Sequence, residues 1–84
     1  MADLMADIGP AIRRHRLAVG MSQSDLAAKI DVARNTISNW ERGISQPTGV
    51  QVIDIAHAVG CTYIDLLENR EPPKFHYHGG AYPA

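Results

Sequence analysis

A single cysteine, Cys61, excludes an internal disulfide, so the chain suits a reducing compartment better than an oxidising one. No apolar run is long enough to span a bilayer, so no membrane partner is expected. The opening stretch MADLMADIGP has neither the basic nor the apolar region of a signal peptide. Aromatic residues make up only 6% of the chain, and no alternating strand pattern occurs before residue 70. There is no Ser/His/Asp arrangement, no glycine-rich phosphate loop and no clustered carboxylate pair. An enzyme is therefore disfavoured, and no cofactor is implied. Positive charge is not in excess either: the net charge is −1.

What is present is an apolar fraction of 45%, enough for one small globular domain. The charges are also sorted along the chain. Residues 13 to 42 carry six bases and three acids, a balance of +3, whereas residues 43 to 84 carry two bases and four acids, a balance of −2. An anionic partner needs a locally positive face, not a positive protein.

Helix signals recur in order. Asp7 is placed to cap a first helix, with Pro10 tolerated in its first turn. Ile8, Ile12 and Val19 mark its inner stripe, and Gly20 ends it. Ser22 with Asp25, Thr48 with Gln51 and Thr62 with Asp65 have capping-box spacing and open three more helices. The third helix runs from about Ala33 to Arg42 and stops at Gly43. Val52, Ile55, Ala56 and Val59 form the inner stripe of the fourth, which Gly60 ends, and Leu66 and Leu67 point inward on the fifth. The expected fold is all-α, a compact five-helix bundle over residues 1–69. Residues 70–84, REPPKFHYHGGAYPA, form a non-helical C-terminal tail. Its composition suits a disordered segment, with a short strand at KFHYH as the alternative.

One charge stands on an apolar stripe. Arg16 follows Ile12 by four residues, and Glu41 follows Ile37 by four on the third helix. Two opposite charges on facing inner stripes should meet as a buried pair.

The densest signal is QSDLAAKIDVARNTISNWER, residues 23 to 42. Leu26, Ala27 and Ile30 share one face of a short helix, Ile37 and Trp40 share one face of the next, and Asp31 and Val32 leave room only for a tight corner. The outer face of the second helix is Arg34, Asn35, Ser38, Asn39 and Arg42. A solvated helix surface would look similar. Joined to the corner, though, such a face suits the DNA major groove, where Arg fits guanine and Asn fits adenine.

This stretch resembles the helix-turn-helix of the phage repressor and Cro family, also called the XRE family. The resemblance rests on Gln23, small Ala27 at the helix crossing, Val32 after the corner, and inward Ile37 and Trp40, and it extends over roughly residues 8 to 69. Family members usually have glycine at the corner where this chain has Asp31, a residue that tolerates positive φ better than most. The resemblance implies a lambda-repressor-like bundle. It also implies base contacts from Arg34, Asn35 and Asn39, with Ser38 on the same face, and a phosphate contact from Gln23 at the start of helix 2. Arg42 and Ser45, flanking the end of helix 3, are further phosphate candidates. The Arg16–Glu41 pair is implied too, and dimerisation is expected near the fifth helix through Tyr63 and Ile64, extended by Phe75 and Tyr77.

The expected function is a sequence-specific DNA-binding transcriptional regulator, a repressor, acting as a homodimer on a near-palindromic operator in the cytoplasm of a bacterial or phage-infected cell. The alternative is a protein-interaction module of the same fold, such as an antitoxin that holds a toxin through its tail. His76 and His78 lack the partners a metal site needs, so no metal is expected. His15 and His57 read as surface residues, Arg13 and Arg14 as solvated bases. Cys61 reads as a small buried apolar group rather than a nucleophile.

Overall fold

Reciprocal caps set three of the helix starts in the computed structural model, which describes residues 8–72. The five helices are α1 (Ile8–Ala18), α2 (Gln23–Lys29), α3 (Arg34–Glu41), α4 (Gly49–Val59) and α5 (Tyr63–Leu67). Among the described residues there is no strand. Ser22, Thr48 and Thr62 each accept a hydrogen bond from the backbone N–H three residues on, at 2.9, 3.2 and 3.0 Å. Asp25, Gln51 and Asp65 return the bond to the capping residue's own N–H at 2.9 to 3.0 Å. The N–H of Ser22 holds the Asp25 carboxyl below its usual range, and that of Thr62 does the same for Asp65. Each folded value is depressed. This part of the stability is therefore present above the usual Asp range of about 4 and is lost as pH falls through the lowered value. The expected cap at Asp7 lies outside the described residues.

The helix ends share a second device. Gly20, Asp31, Gly43, Gly60 and Asn69 all have positive φ, between 53° and 76°. The amide after each returns to the carbonyl five residues back: Met21 to Arg16, Val32 to Ala27, Ile44 to Asn39, Cys61 to Ala56 and Arg70 to Asp65, all at 2.9 to 3.1 Å. These are Schellman stops, in which a left-handed residue lets orphan carbonyls find donors. At the helix-turn-helix corner the left-handed residue is Asp31, at φ 59°.

The stripes meet as expected. Ile8, Ile12, Leu26, Ile37, Val52, Ile55, Val59 and Leu66 are fully buried, with Ala27 and Trp40 beside them, and Val19, Ile30, Val32 and Leu67 pack against this core from its margin. Arg16 is buried on the α1 stripe.

Where α1 crosses α3, the backbones nearly touch. A Cβ built on Gly9 would lie 2.5 Å from the Trp40 carbonyl oxygen and 2.7 Å from that of Glu41. Backbone cannot swing aside as a side chain can, so the helices would have to separate. Gly9→Ala is expected to destabilise by about 1–3 kcal/mol despite the better helix propensity of alanine. Urea titration followed by circular dichroism measures this, and a neutral or stabilising result would mean that the crossing relaxes freely.

Two expectations about α1 are corrected. His15 is not a surface residue: it is buried, and its Nε2 lies 2.8 Å from the Arg70 carbonyl oxygen, to which it donates. Arg14 is half-buried and its Nη2 donates to Asn69 Oδ1, so it is not simply solvated. Together they fasten the chain after α5 against α1. Arg70, the first residue of the expected tail, is thereby tied to the bundle. Arg13 and His57 are exposed.

Candidate nucleic-acid interface

The site is built on α2 and α3, which the tight corner sets against each other. Ile37 and Trp40 anchor α3 in the core, which leaves the opposite face outward. Arg34 and Asn35 are exposed in its first turn; Ser38 and Asn39 are half-buried one turn later. Arg42, at the helix end, is exposed, as is Ser45 in the loop that follows. The Ile44 and Ser45 amides both donate to the Asn39 carbonyl, at 2.9 and 3.4 Å, which curls this loop back over the end of α3.

Beneath the outer face lies a polar chain. Arg16 Nε and Nη2 donate to Glu41 Oε2 and Oε1 at 2.6 and 3.0 Å, a two-point ion pair, and Arg16 Nη1 donates to the Met21 carbonyl at 2.8 Å. The side chains are 7% and 4% exposed, so the pair is largely out of water. Gln23 Nε2 then donates to Glu41 Oε1 at 3.1 Å, and Arg34 Nη1 donates to Gln23 Oε1 at 3.1 Å. Gln23, expected at a phosphate, thus lies between Glu41 and Arg34. The sequence reading missed this link. Its signal is that Gln23 and Arg34 each open a helix on either side of one tight corner. The internal Arg16–Glu41 pair is neutral overall, so the +3 balance of residues 13 to 42 falls on the surface.

The remaining described candidates stand on α5 and the turn before it. Tyr63 and Ile64 at the start of α5 are 37% and 43% exposed. The Tyr63 hydroxyl lies 4.0 Å from where a Cβ on Gly49 would stand, so the ring reaches the start of α4, whose Val50 and Ile53 are also exposed. Burial, with Asp65 nearby, pushes the Cys61 thiol up to about 12, so it stays protonated at neutral pH and packs as a small half-buried group. Among the described residues no three His, Cys, Asp or Glu side chains are grouped to hold a metal ion. His76, His78, Phe75 and Tyr77 lie outside the described residues. No helix among those described is long and apolar enough to cross a membrane.

Residues 12–66 match the family model described as helix-turn-helix. The chain is 31% identical over 68 residues to the HTH-type transcriptional regulator DicA of Escherichia coli, a match that covers 77% of this chain and 50% of DicA. It therefore spans only half the length of that relative. The DNA-binding domain of the P22 C2 repressor, determined in solution, superposes with a TM-score of 0.75 at 26% identity, covering 81% of this chain and 90% of that one. The P22 c2 repressor in complex with a synthetic operator superposes with a TM-score of 0.68 at 30% identity, covering 73% of this chain and 92% of that one. The five-helix arrangement is that of the phage repressors.

Proposed function

The chain belongs to the helix-turn-helix family of transcriptional regulators, and from that premise we propose that it is a sequence-specific repressor that binds a near-palindromic operator as a homodimer, with α3 in the major groove. The observation that carries this reading is the outer face of α3, where Arg34 and Asn35 are exposed and Ser38 and Asn39 half-exposed on a helix that Ile37 and Trp40 fix to the core. Arg34, Asn35, Ser38 and Asn39 are assigned to bases. Arg42 and Ser45 are assigned to phosphates, as is the second amide hydrogen of Gln23, which Glu41 leaves free. Residues 1–69 act as the DNA-binding domain and 70–84 as a tail. Cys61, a single unpaired thiol, suits the cytoplasm.

A homodimer follows from the size of the reading surface. One recognition helix touches too few base pairs for useful specificity, so two half-sites roughly 34 Å apart are needed. Tyr63 and Ile64 on α5, with Val50 and Ile53 exposed on α4, offer apolar surface for pairing.

The test is selection from random duplexes at controlled salt, followed by titration of variants on the selected site. One enriched palindrome is expected. Arg34→Ala and Asn39→Ala should each cost about 1–3 kcal/mol on the operator and relax preference at one base pair per half-site, with little loss on random DNA. Arg42→Ala should weaken both alike and flatten the slope of log affinity against log salt by about one unit, because one phosphate contact is lost. If Arg34→Ala and Asn39→Ala retain full preference, α3 is not the reading helix. No enrichment even at low salt would favour the protein-interaction reading.

A further inference from the structure

We propose that Ile44 is a specificity-determining residue that packs on the C5-methyl of a thymine beside the base pair read by Asn39. The inference rests on α3 being the reading helix and deepens that assignment.

The first support is that Ile44 departs from the pattern of the other helix stops. In a Schellman stop, the residue after the left-handed one stands beside the residue whose carbonyl takes its N–H, and the two usually pack together. Four of the five stops supply such a residue with a partner. Met21, Val32 and Cys61 pack against the margin of the core, and Arg70 Nη1 lies 3.8 Å from Asp65 Oδ1 at its own stop. At the end of α3 the pair is Ile44 with Asn39, joined at 2.9 Å, and the Gly43 amide returns to the Trp40 carbonyl at 3.2 Å. The stop is fully formed, yet Ile44 is 60% exposed. An apolar side chain is here set beside a polar one and left in water.

The second support is the company Ile44 keeps. Asn39, to which it is tied, is assigned to a base, and Arg42 and Ser45, two residues before and one after, are assigned to phosphates. An apolar residue between two phosphate contacts and next to a base contact lies at the wall of the major groove. Isoleucine has no side-chain donor or acceptor, so the polar groups of the base edges offer it nothing. The thymine C5-methyl is the aliphatic group displayed in that groove. It stands on the side of its base toward the backbone of its own strand, along the same wall. Covering Ile44 with that methyl removes two apolar surfaces from water at once.

The test replaces each thymine of one half-site of the selected operator by deoxyuridine, which removes only the methyl. Wild type, Ile44→Ala and Asn39→Ala are titrated on every duplex, and the pair at which Asn39→Ala relaxes preference fixes the register. A uracil next to that pair should weaken wild type by about 4-fold, the equivalent of one buried methyl group. Ile44→Ala should weaken binding to the unmodified operator by about 10- to 20-fold, since both half-sites lose the contact, and should not sense that uracil at all. An Ile44→Ala protein that still senses the uracil as wild type does places Ile44 on deoxyribose, and one that sediments with less dimer places it against a second copy. Either result overturns the proposal. So does a wild-type chain indifferent to uracil beside the Asn39 pair, a result that needs no variant to fold. All three leave the lost preference of Arg34→Ala and Asn39→Ala standing. Retained preference in those two variants would instead remove the reading-helix assignment and this proposal with it, a distinguishable failure.

Discussion

Glu41→Ala is expected to destabilise the fold by about 3–5 kcal/mol, and Arg16→Ala by a similar amount, because each leaves its partner charged and buried. The two side chains are 7% and 4% exposed and meet at two points, so water cannot replace the lost partner. Without Glu41, Arg16 keeps only the Met21 carbonyl, and the Gln23 amide loses its acceptor. A chain of this length holds roughly 4–12 kcal/mol in all, so either variant stands near its unfolding threshold at 25 °C. Replacing both residues together by apolar ones of similar volume should cost far less than either single change, since no orphan charge remains. Urea denaturation of the two single variants and the double variant checks the pattern. Losses below about 1 kcal/mol in both single variants would mean that the pair behaves as a surface salt bridge.

Trp40→Ala is expected to cost a further class of interaction, packing, by about 3–5 kcal/mol. Trp40 is 3% exposed and stands on α3 between the core and the crossing with α1. Its loss opens a cavity under α3. Alanine cannot fill it, and the close backbone contact at Gly9 already holds α1 and α3 at their minimum separation. Because the substitution removes the single tryptophan of the chain, the unfolding curve must be followed by far-UV circular dichroism rather than fluorescence. Trp40→Phe should retain most of the stability. A Trp40→Ala protein within about 1 kcal/mol of wild type would show that α3 is held by the polar pair and not by packing.

Much of this architecture is legible in the sequence, because its signals are local. A Ser or Thr three residues before an Asp or Gln identifies a start, and each of the three such pairs closes as a reciprocal cap. The Arg16–Glu41 pair is also legible, since each charge interrupts an otherwise apolar stripe. His15 is misread for lack of that second step. It lies seven residues after Ile8, four after Ala11 and three after Ile12, squarely on the buried face, but a histidine carries no charge conflict to draw notice. The partner that satisfies it is a backbone carbonyl at Arg70, 55 residues away, which no residue type announces. Gly9 is hidden for a related reason. Its role is to be absent at a crossing, and only the fold reveals what passes there. The Gln23–Arg34 contact depends on the angle between two helices, which the corner residues suggest but do not fix.

The five left-handed stops have a consequence for how the chain finds this fold. Each is specified within six consecutive residues, and so is each reciprocal cap. Helix lengths are therefore decided before distant parts of the chain have met, and what remains is to dock short preformed pieces across connections of three to seven residues. Little loop-closure entropy opposes that search, and topologies dominated by such local structure fold in microseconds to milliseconds. Steps that must wait are the meeting of Arg16 with Glu41, 25 residues apart, and the closure of α1 onto Asn69 and Arg70, 55 residues apart. The first of these joins the first and third helices and so seats α3 against the core.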